Sequence, residues 1–221
     1  MKPEKTGRRC VLILLILLAA VFFLSFLLGR YRVSALQTAR LLADRALSGV
    51  SRGHLRLAPT WTPEEASVVI QIRLPRILSA ALIGAALSAA GASYQAMFRN
   101  PMVSPDLLGA STGACFGAAL AILLFGGGSA SYFFAFAFGV GAVLLSYWIA
   151  GIYKSVPAIM LVLGGTPVPS VFNALVSLLK YVADTDSQLP AIVYWLMGSL
   201  ASVGWNSIWA IIPVGIGLVV L

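Results

Sequence analysis

The sequence predicts an all-α, multi-pass integral membrane helical bundle. Of its 221 residues, 60% are hydrophobic and only 10% are charged, whereas soluble domains carry about 25% charged residues. Six apolar segments approach the roughly 20 residues that a helix needs to cross the hydrocarbon layer of a bilayer. We therefore expect residues 1–221 to form a single membrane domain in contact with lipid.

Net charge and rare residue types exclude several other classes of protein. The net charge is +8, but the fifteen Lys and Arg residues lie between apolar segments. A nucleic-acid site would instead place them on one soluble face. Two cysteines and one histidine, all isolated in the sequence, form neither a disulfide framework nor a metal-ligand cluster. We expect no nucleic-acid partner and no bound metal.

The apolar segments define six predicted spans and two outer connections. The first span follows a basic head and lacks the cleavage signal of a secretory leader, so we expect a retained helix. The spans are residues 10–28, 77–98, 107–125, 132–153, 156–179 and 207–221. The outer segments are residues 29–76 and 180–206. Because the sixth span is still apolar at Leu221, we expect the chain to be a C-terminally truncated domain.

Helix signals precede the second span. Thr62 is a candidate N-cap, Pro63 fits the first helical position, and Glu65 completes a capping box. Pro75 lacks the backbone N–H that helix continuation requires, so we expect it to bend the chain at the membrane entrance. Pro167 and Pro169 are expected to break the fifth span for the same reason.

Small residues recur at every fourth position in two spans, which allows another helix to approach closely. In the second span the row is Ala80, Gly84, Ser88 and Ala92. In the third span the row is Gly109, Gly113 and Gly117. Both rows are predicted packing positions, and the second span is expected to be buried in protein.

Polar residues mark the two ends of the second span. Gln95 is predicted to form an interhelical hydrogen bond, with a place on a transport path as the alternative. A predicted cytoplasmic turn and helix start contains Arg99, Asn100, Pro101, Pro105 and Asp106.

Arg73 and Arg76 lie three residues apart at the other end of the second span. One interpretation is that their side chains extend to lipid headgroups, as arginines at helix ends commonly do. The other is that the Pro75 bend and the capped helix hold both guanidinium groups ready to bind a carboxylate. We favour the second interpretation.

Four stretches of this sequence resemble the FecCD family of ABC-transporter permeases, which import ferric siderophores, haem, cobalamin and related metal chelates. They are RLPR at 73–76, FRNPMVSPDLLGASTGA at 98–114, LVLGGTPVPSVFNALVSLL at 161–179 and YWLMGSLASVGWNSIW at 194–209. The resemblance runs from about Trp61 to Leu221 in the family's order. Thr166, Pro167 and Pro169 depart from the family's usual pattern of aliphatic and small residues.

The resemblance implies a permease of ten spans whose pathway lies between two subunits, expected here to be a homodimer. It also implies a cytoplasmic ABC ATPase dimer and an extracytoplasmic substrate-binding protein, whose glutamates would dock on Arg73 and Arg76. The turn with Pro101, Pro105 and Asp106 is a candidate contact for the ATPase. This chain should bind no cofactor, because no Lys follows a Gly as a P-loop requires. ATP and Mg would belong to the partner ATPase.

The resemblance also implies a cytoplasmic N-terminus in the cell (inner) membrane. Counting charges argues the other way, because that orientation places nine Lys and Arg outside and six inside. The outer segment is long, however, and charges far from helix ends influence orientation less. We therefore follow the resemblance.

The expected function is that of a permease subunit in an importer of ferric siderophores, with cobalamin, haem or molybdate as alternative substrates. A non-transporting, truncated membrane scaffold is the second hypothesis. A membrane-embedded enzyme is not expected, because the acidic residues from Ile77 onward are only Asp106, Asp184 and Asp186. All three are predicted to lie near or outside the interfaces, away from where intramembrane chemistry would need them.

Overall fold

A computed structural model describes residues 3–50, 60–152 and 165–205, and within these ranges the regular structure is entirely helical. The all-α prediction is confirmed. The helices are α1 (Pro3–Leu27), α2 (Ala35–Val50), α3 (Pro63–Ser67), α4 (Leu74–Phe98), α5 (Ala110–Phe125), α6 (Ser129–Gly151), α7 (Pro167–Val182) and α8 (Gln188–Met197). A π-helical segment, Val68–Arg73, joins α3 to α4, and a 3-10 helix, Pro105–Leu108, precedes α5.

Within the described ranges, three helices are long and apolar enough to cross a membrane. They are Gly7–Leu27, Pro63–Phe98 and Ser129–Gly151. These correspond to the predicted first, second and fourth spans. Residues 153–164, in the fifth predicted span and at the end of the fourth, and residues 206–221, which include the sixth, lie outside the described residues.

The third span begins differently from the prediction, and the fifth contains the interruption expected of its prolines. Gly109 adopts φ 81° and separates the 3-10 helix from α5, which leaves α5 with 16 residues, or about 24 Å of helix. Pro167 is the first residue of α7, a position where its missing N–H has no intrahelical partner to lose. Gly165 is helical and Thr166 is a turn residue, so within the described residues the helical backbone is interrupted at Thr166 and resumes at Pro167, in agreement with the expected break.

Contacts divide the described chain into two units, and the boundary falls within α4, between Leu82 and Ile83. The first unit contains α1 to α3, the start of α4 and residues 200–205. Its core is formed by Phe26, Val33, Leu41 and Val69. The capping box predicted for α3 is present: Thr62 Oγ1 accepts from the Glu65 amide at 3.2 Å, and Glu65 Oε2 accepts from the Thr62 amide at 2.9 Å.

Helical backbone continues through Pro75, so this residue does not end the helix. The hydrogen-bond register shifts just before it, where the Leu74 amide donates to the Val69 carbonyl, five residues back. A π-helical turn of this kind is a recognised site of irregularity in helices. The proline therefore marks the return from π to α geometry.

In the second unit, α5 lies at the centre and packs against α6, α7 and α8. A Cβ added to Gly113 would lie 2.5 Å from the Phe138 carbonyl oxygen, and one added to Gly117 would overlap the Phe134 carbonyl. Two glycines of the third-span row thus allow α5 to approach the backbone of α6, as predicted. Gly109 is buried against Pro169 of α7, whose Cδ would be 3.3 Å from an added Cβ.

The row on α4 differs from its prediction. Ala80, Gly84, Ser88 and Ala92 are all exposed in the described chain, and a Cβ added at Gly84 would have no neighbour within 4 Å. The described part of this chain therefore does not bury the row, and burial of the second span in protein stays a prediction. Tight packing along α5 follows from contacts within one chain, whereas the described part of the chain leaves the α4 row uncovered.

The connection from α7 to α8 is organised by Asp184. Its carboxylate accepts hydrogen bonds from the Ser187 hydroxyl at 2.7 Å and the Ser187 amide at 2.9 Å. These bonds lower the pKa of Asp184 from its ordinary value, and the bond from the hydroxyl has the larger effect. Gln188 then donates to the Leu123 carbonyl at 3.2 Å and holds the start of α8 against α5. The ten-residue helix α8 follows this connection.

We predict that Gly117→Ala destabilises the protein by about 1–3 kcal/mol, because the new methyl group must displace the α6 backbone at Phe134. Gly141→Ala is the matched control, since its Cβ would meet nothing within 4 Å. Thermal unfolding in detergent measures both. Equal melting temperatures for the two variants would contradict the close approach of α5 and α6.

Candidate functional site

Arg73 holds the end of α1 against the start of α4. The residue is only 8% exposed, and its guanidinium donates hydrogen bonds to the carbonyls of Phe26 and Tyr31. The Phe26 carbonyl belongs to the last turn of α1, where carbonyls have no partner within the helix and the helix dipole favours a cation. We call this set of contacts the Arg73 bridge.

Gly29 makes room for the Arg73 bridge. A Cβ at this position would lie 2.5 Å from a terminal guanidinium nitrogen of Arg73, so any larger side chain would displace the cation. The predicted docking role requires a guanidinium that a partner's carboxylate can reach. Arg73 is buried and its guanidinium is bound to two backbone carbonyls, so the residue joins two segments of the first unit. Docking of a partner's carboxylate on Arg73 stays a prediction.

Arg76 remains partly exposed. It donates to the Ala201 carbonyl, which ties α4 to the segment that follows α8 in sequence. Its Nε atom is buried and forms no hydrogen bond with the described residues. Docking of a partner carboxylate on Arg76 therefore stays a prediction.

Trp205 binds a backbone carbonyl that Pro75 leaves unpaired. In the π-helical register the amide of residue 75 would donate to the Ile70 carbonyl, five residues back, but proline has no N–H. The indole Nε1 of Trp205 donates to that carbonyl at 2.9 Å. A buried or half-buried carbonyl without a partner would be costly, and Trp205 supplies one.

Two cavities adjoin the start of α4 in the first unit. The first has a volume of about 370 Å³, and its lining includes Arg30, Arg73 and Arg76. The second has a volume of about 390 Å³ and is lined mainly by apolar side chains of α1 and α4. Ser25, Arg76 and Ile77 line both cavities.

The predicted inner turn is present in the second unit. Gln95 donates to the Pro101 carbonyl at 3.2 Å, and Asn100 Oδ1 accepts from the Met102 amide at 2.9 Å. Arg99 adopts φ 48°, which reverses the chain after α4. Gln95 thus forms a local bond that closes the turn, in place of the predicted interhelical bond.

The helix start after the turn also agrees with its prediction. Pro105 is the first residue of the 3-10 helix, and the Asp106 carboxylate accepts a hydrogen bond from the Ser111 hydroxyl. Asp106 is exposed. Its carboxylate therefore supports the start of α5 while remaining accessible on the surface.

Sequence reasoning identified the arginines but missed the residues that they bind. Phe26, Gly29 and Tyr31 carry no recognisable motif, because two of them contribute only carbonyls and the third contributes only space. For Trp205 a signal did exist: Pro75 inside a helical pattern leaves one carbonyl without a donor. Such a carbonyl indicates that a side-chain donor should be sought elsewhere in the chain.

Comparison with known proteins gives one family. The model of the FecCD transport family matches residues 16–221. The chain is 37% identical over 198 residues to the molybdate import system permease protein MolB of Haemophilus influenzae, covering 89% of this chain and 55% of that protein. It is 31% identical to the iron(3+)-hydroxamate import system permease protein FhuG of Bacillus subtilis, covering 90% of this chain and 56% of the relative.

A vitamin B12 import system permease protein, BtuC of Shigella boydii, is 34% identical over 72% of this chain and 50% of its own length. A solved structure, described as an inward-facing conformation of a metal-chelate type ABC transporter, matches with a TM-score of 0.70 and 35% identity. That match covers 90% of this chain and 56% of the solved chain. The chain thus spans about half the length of the relatives that it matches.

We predict that Arg73→Met lowers the free energy of unfolding by about 2–5 kcal/mol, because it leaves the carbonyls of Phe26 and Tyr31 without their charged donor. Arg32→Met is the matched control, since Arg32 is exposed and lines neither cavity described above. Thermal unfolding of the purified variants measures the difference. A melting temperature for Arg73→Met equal to that of Arg32→Met would show that the bridge contributes no stability.

Trp205→Phe should destabilise the protein by about 1 kcal/mol, the net value of one hydrogen bond. In a Pro75→Ala background the same substitution should cost less, because the new amide at position 75 can donate to the Ile70 carbonyl. A double-mutant cycle measures this coupling. The control cycle pairs Trp205→Phe with Gln71→Ala, at an exposed neighbouring position, and should be additive. Additivity in both cycles would refute the shared carbonyl.

Proposed function

We propose that this chain, which belongs to the FecCD transport family, is a permease subunit of a binding-protein-dependent ABC importer. The family match over residues 16–221 carries the proposal. Three described helices long and apolar enough to cross a membrane support it. Helix α5 packs against α6 and α7, and together they form the compact helical unit that such a subunit needs.

The proposed substrate class is a ferric siderophore or a related metal chelate. Similarity to an iron(3+)-hydroxamate permease and to a solved transporter of the metal-chelate type supports this class. Molybdate is the second candidate, because identity to the molybdate permease reaches 37% over 89% of this chain. Cobalamin is a third, supported by the similarity to a vitamin B12 permease.

The proposed assembly contains a second permease subunit, a cytoplasmic ATPase dimer and an extracytoplasmic binding protein. Exposed small residues on α4 support a further helical neighbour, because Gly84, Ser88 and Ala92 would let another backbone approach without a clash. Energy would come from ATP and Mg bound by the ATPase. The subunit would lie in the cytoplasmic membrane with its N-terminus inside.

In this orientation the turn after α4 faces the cytoplasm. Arg99, Asn100, Pro101 and Asp106 are exposed there, while their hydrogen bonds fix the turn's backbone. A rigid, exposed turn provides the kind of surface on which an ATPase could transmit movement to α4 and α5. We propose it as a contact for the ATPase.

The competing hypothesis is a membrane scaffold that packs but does not transport. Both hypotheses require the same stable helices, so stability measurements do not separate them. Only the transporter requires an ATPase partner and a substrate whose uptake depends on ATP hydrolysis.

We predict ATP-dependent uptake when the complete permease is reconstituted in proteoliposomes with its ATPase and binding protein. Three labelled probes are compared: a ferric hydroxamate, molybdate and cobalamin. The matched control is an ATPase whose P-loop lysine is replaced, because that subunit should assemble without hydrolysing ATP. Uptake of one probe that disappears in the control supports the proposal. An assembled complex that transports none of the three would favour the scaffold over the proposed importer.

A further inference from the structure

We propose that the first unit binds an anionic phospholipid where α1 ends and α4 begins. Its phosphate would be held by Arg30 and Arg76, and one acyl chain would lie in the adjoining apolar cavity. This inference goes beyond the proposed transport function and does not depend on it. The proposed ligand is a lipid of the surrounding membrane, and not a substrate that is transported.

The charged half of the site is the cavity of about 370 Å³. Three arginines line it, and none of the described lining residues is acidic. The Arg73 guanidinium is already engaged by the carbonyls of Phe26 and Tyr31, whereas Arg30 is exposed. The cavity therefore carries positive charge without a protein counter-charge, and a phosphate group would provide one.

Arg76 is positioned for this role by its bond to the Ala201 carbonyl. One terminal nitrogen of its guanidinium is thereby fixed, and the group remains part of the lining of both cavities. An arginine with a fixed geometry loses less side-chain freedom on binding a phosphate than a mobile one. The carbonyl bond thus favours binding without neutralising the charge.

The apolar half of the site is the cavity of about 390 Å³. Both cavities fall within the range of roughly 300–1,000 Å³ typical of small-molecule sites. The groove between α1 and α4 is lined by Leu18, Val21, Phe22, Ile77, Ala80 and Ala81. Alanines on α4 leave the space that an acyl chain would fill. At Ala80 the lipid would take the place of the helical neighbour that the four-residue row predicts.

The position of the two cavities side by side favours a lipid over a free anion or a protein carboxylate. Ser25, Arg76 and Ile77 belong to both linings, so positive charge and apolar surface lie next to each other. A free anion would use only the charged half. A phospholipid has both chemical parts in the same order, and α1 is an apolar helix long enough to cross the membrane.

The test is native mass spectrometry of the complete permease in mild detergent, with added phosphatidylglycerol or phosphatidylcholine. The wild-type protein should retain phosphatidylglycerol in preference to phosphatidylcholine. The double variant R30Q/R76Q should reduce phosphatidylglycerol affinity about tenfold, corresponding to the loss of roughly one charge-assisted hydrogen bond. Ala81→Trp, which fills the apolar cavity without changing charge, should reduce retention of both lipids.

Two matched controls should behave like the wild type. Arg40→Gln removes an exposed arginine that lines neither cavity and donates to Thr60. Ala85→Trp adds the same bulk at an exposed position on α4 outside the groove. Phosphatidylglycerol should also raise the unfolding temperature of the wild type and of both controls, because a ligand stabilises the state that it binds. If the double variant does not fold, Arg30→Gln alone replaces it, with the same direction of effect expected.

Three results would overturn the proposal. Equal retention of the two lipids by the wild type would remove the anionic preference. Unchanged phosphatidylglycerol retention in the arginine variant would remove the role of Arg30 and Arg76, and weaker capture of the extracytoplasmic binding protein by that variant would then assign them to docking. Loss with the arginine variant but normal retention by Ala81→Trp would indicate a headgroup or free-anion site without an acyl groove. Failed transport with normal lipid retention would contradict the proposed function and not this inference.

Discussion

The first unit depends on the buried guanidinium of Arg73. A charge removed from water is costly unless hydrogen bonds compensate it, and here the carbonyls of Phe26 and Tyr31 do so. The Phe26 carbonyl benefits as well, because the last turn of α1 leaves backbone acceptors unpaired. One side chain therefore joins the end of α1 to the start of α4. Gly29 keeps that arrangement possible by leaving room for the guanidinium.

The irregular start of α4 also reflects the need to pair backbone hydrogen-bond donors and acceptors. Pro75 has no amide N–H to donate, and in the π-helical register the carbonyl left without a donor is that of Ile70. The Trp205 indole donates to this carbonyl instead. Arg76 adds a second tie, to Ala201. The segment after α8 is thus attached to the entrance of the second span at two points. These two hydrogen bonds hold residues 201 and 205 against the start of α4 within the first unit.

Local patterns in the sequence predicted the local structure well. The capping box at Thr62 and Glu65 needs only neighbouring residues, and Gly113 and Gly117 needed only their four-residue spacing. The acceptors of Arg73 could not be predicted, because they lie 47 and 42 residues away and are carbonyls, which every residue type carries. The α4 row was recognised as suited to packing, but spacing alone does not state which chain supplies the neighbouring helix.

Selective modification of arginines with phenylglyoxal tests the Arg73 bridge most directly. The reagent attacks accessible guanidinium groups, and peptide mass spectrometry reports the modified fraction at each site. We predict rapid modification of the exposed Arg32, slow modification of Arg73 in the folded protein, and equal rates for both after unfolding in denaturant. Arg73 reacting as fast as Arg32 in the folded protein would contradict its burial and, with it, the anchoring of α1 to α4.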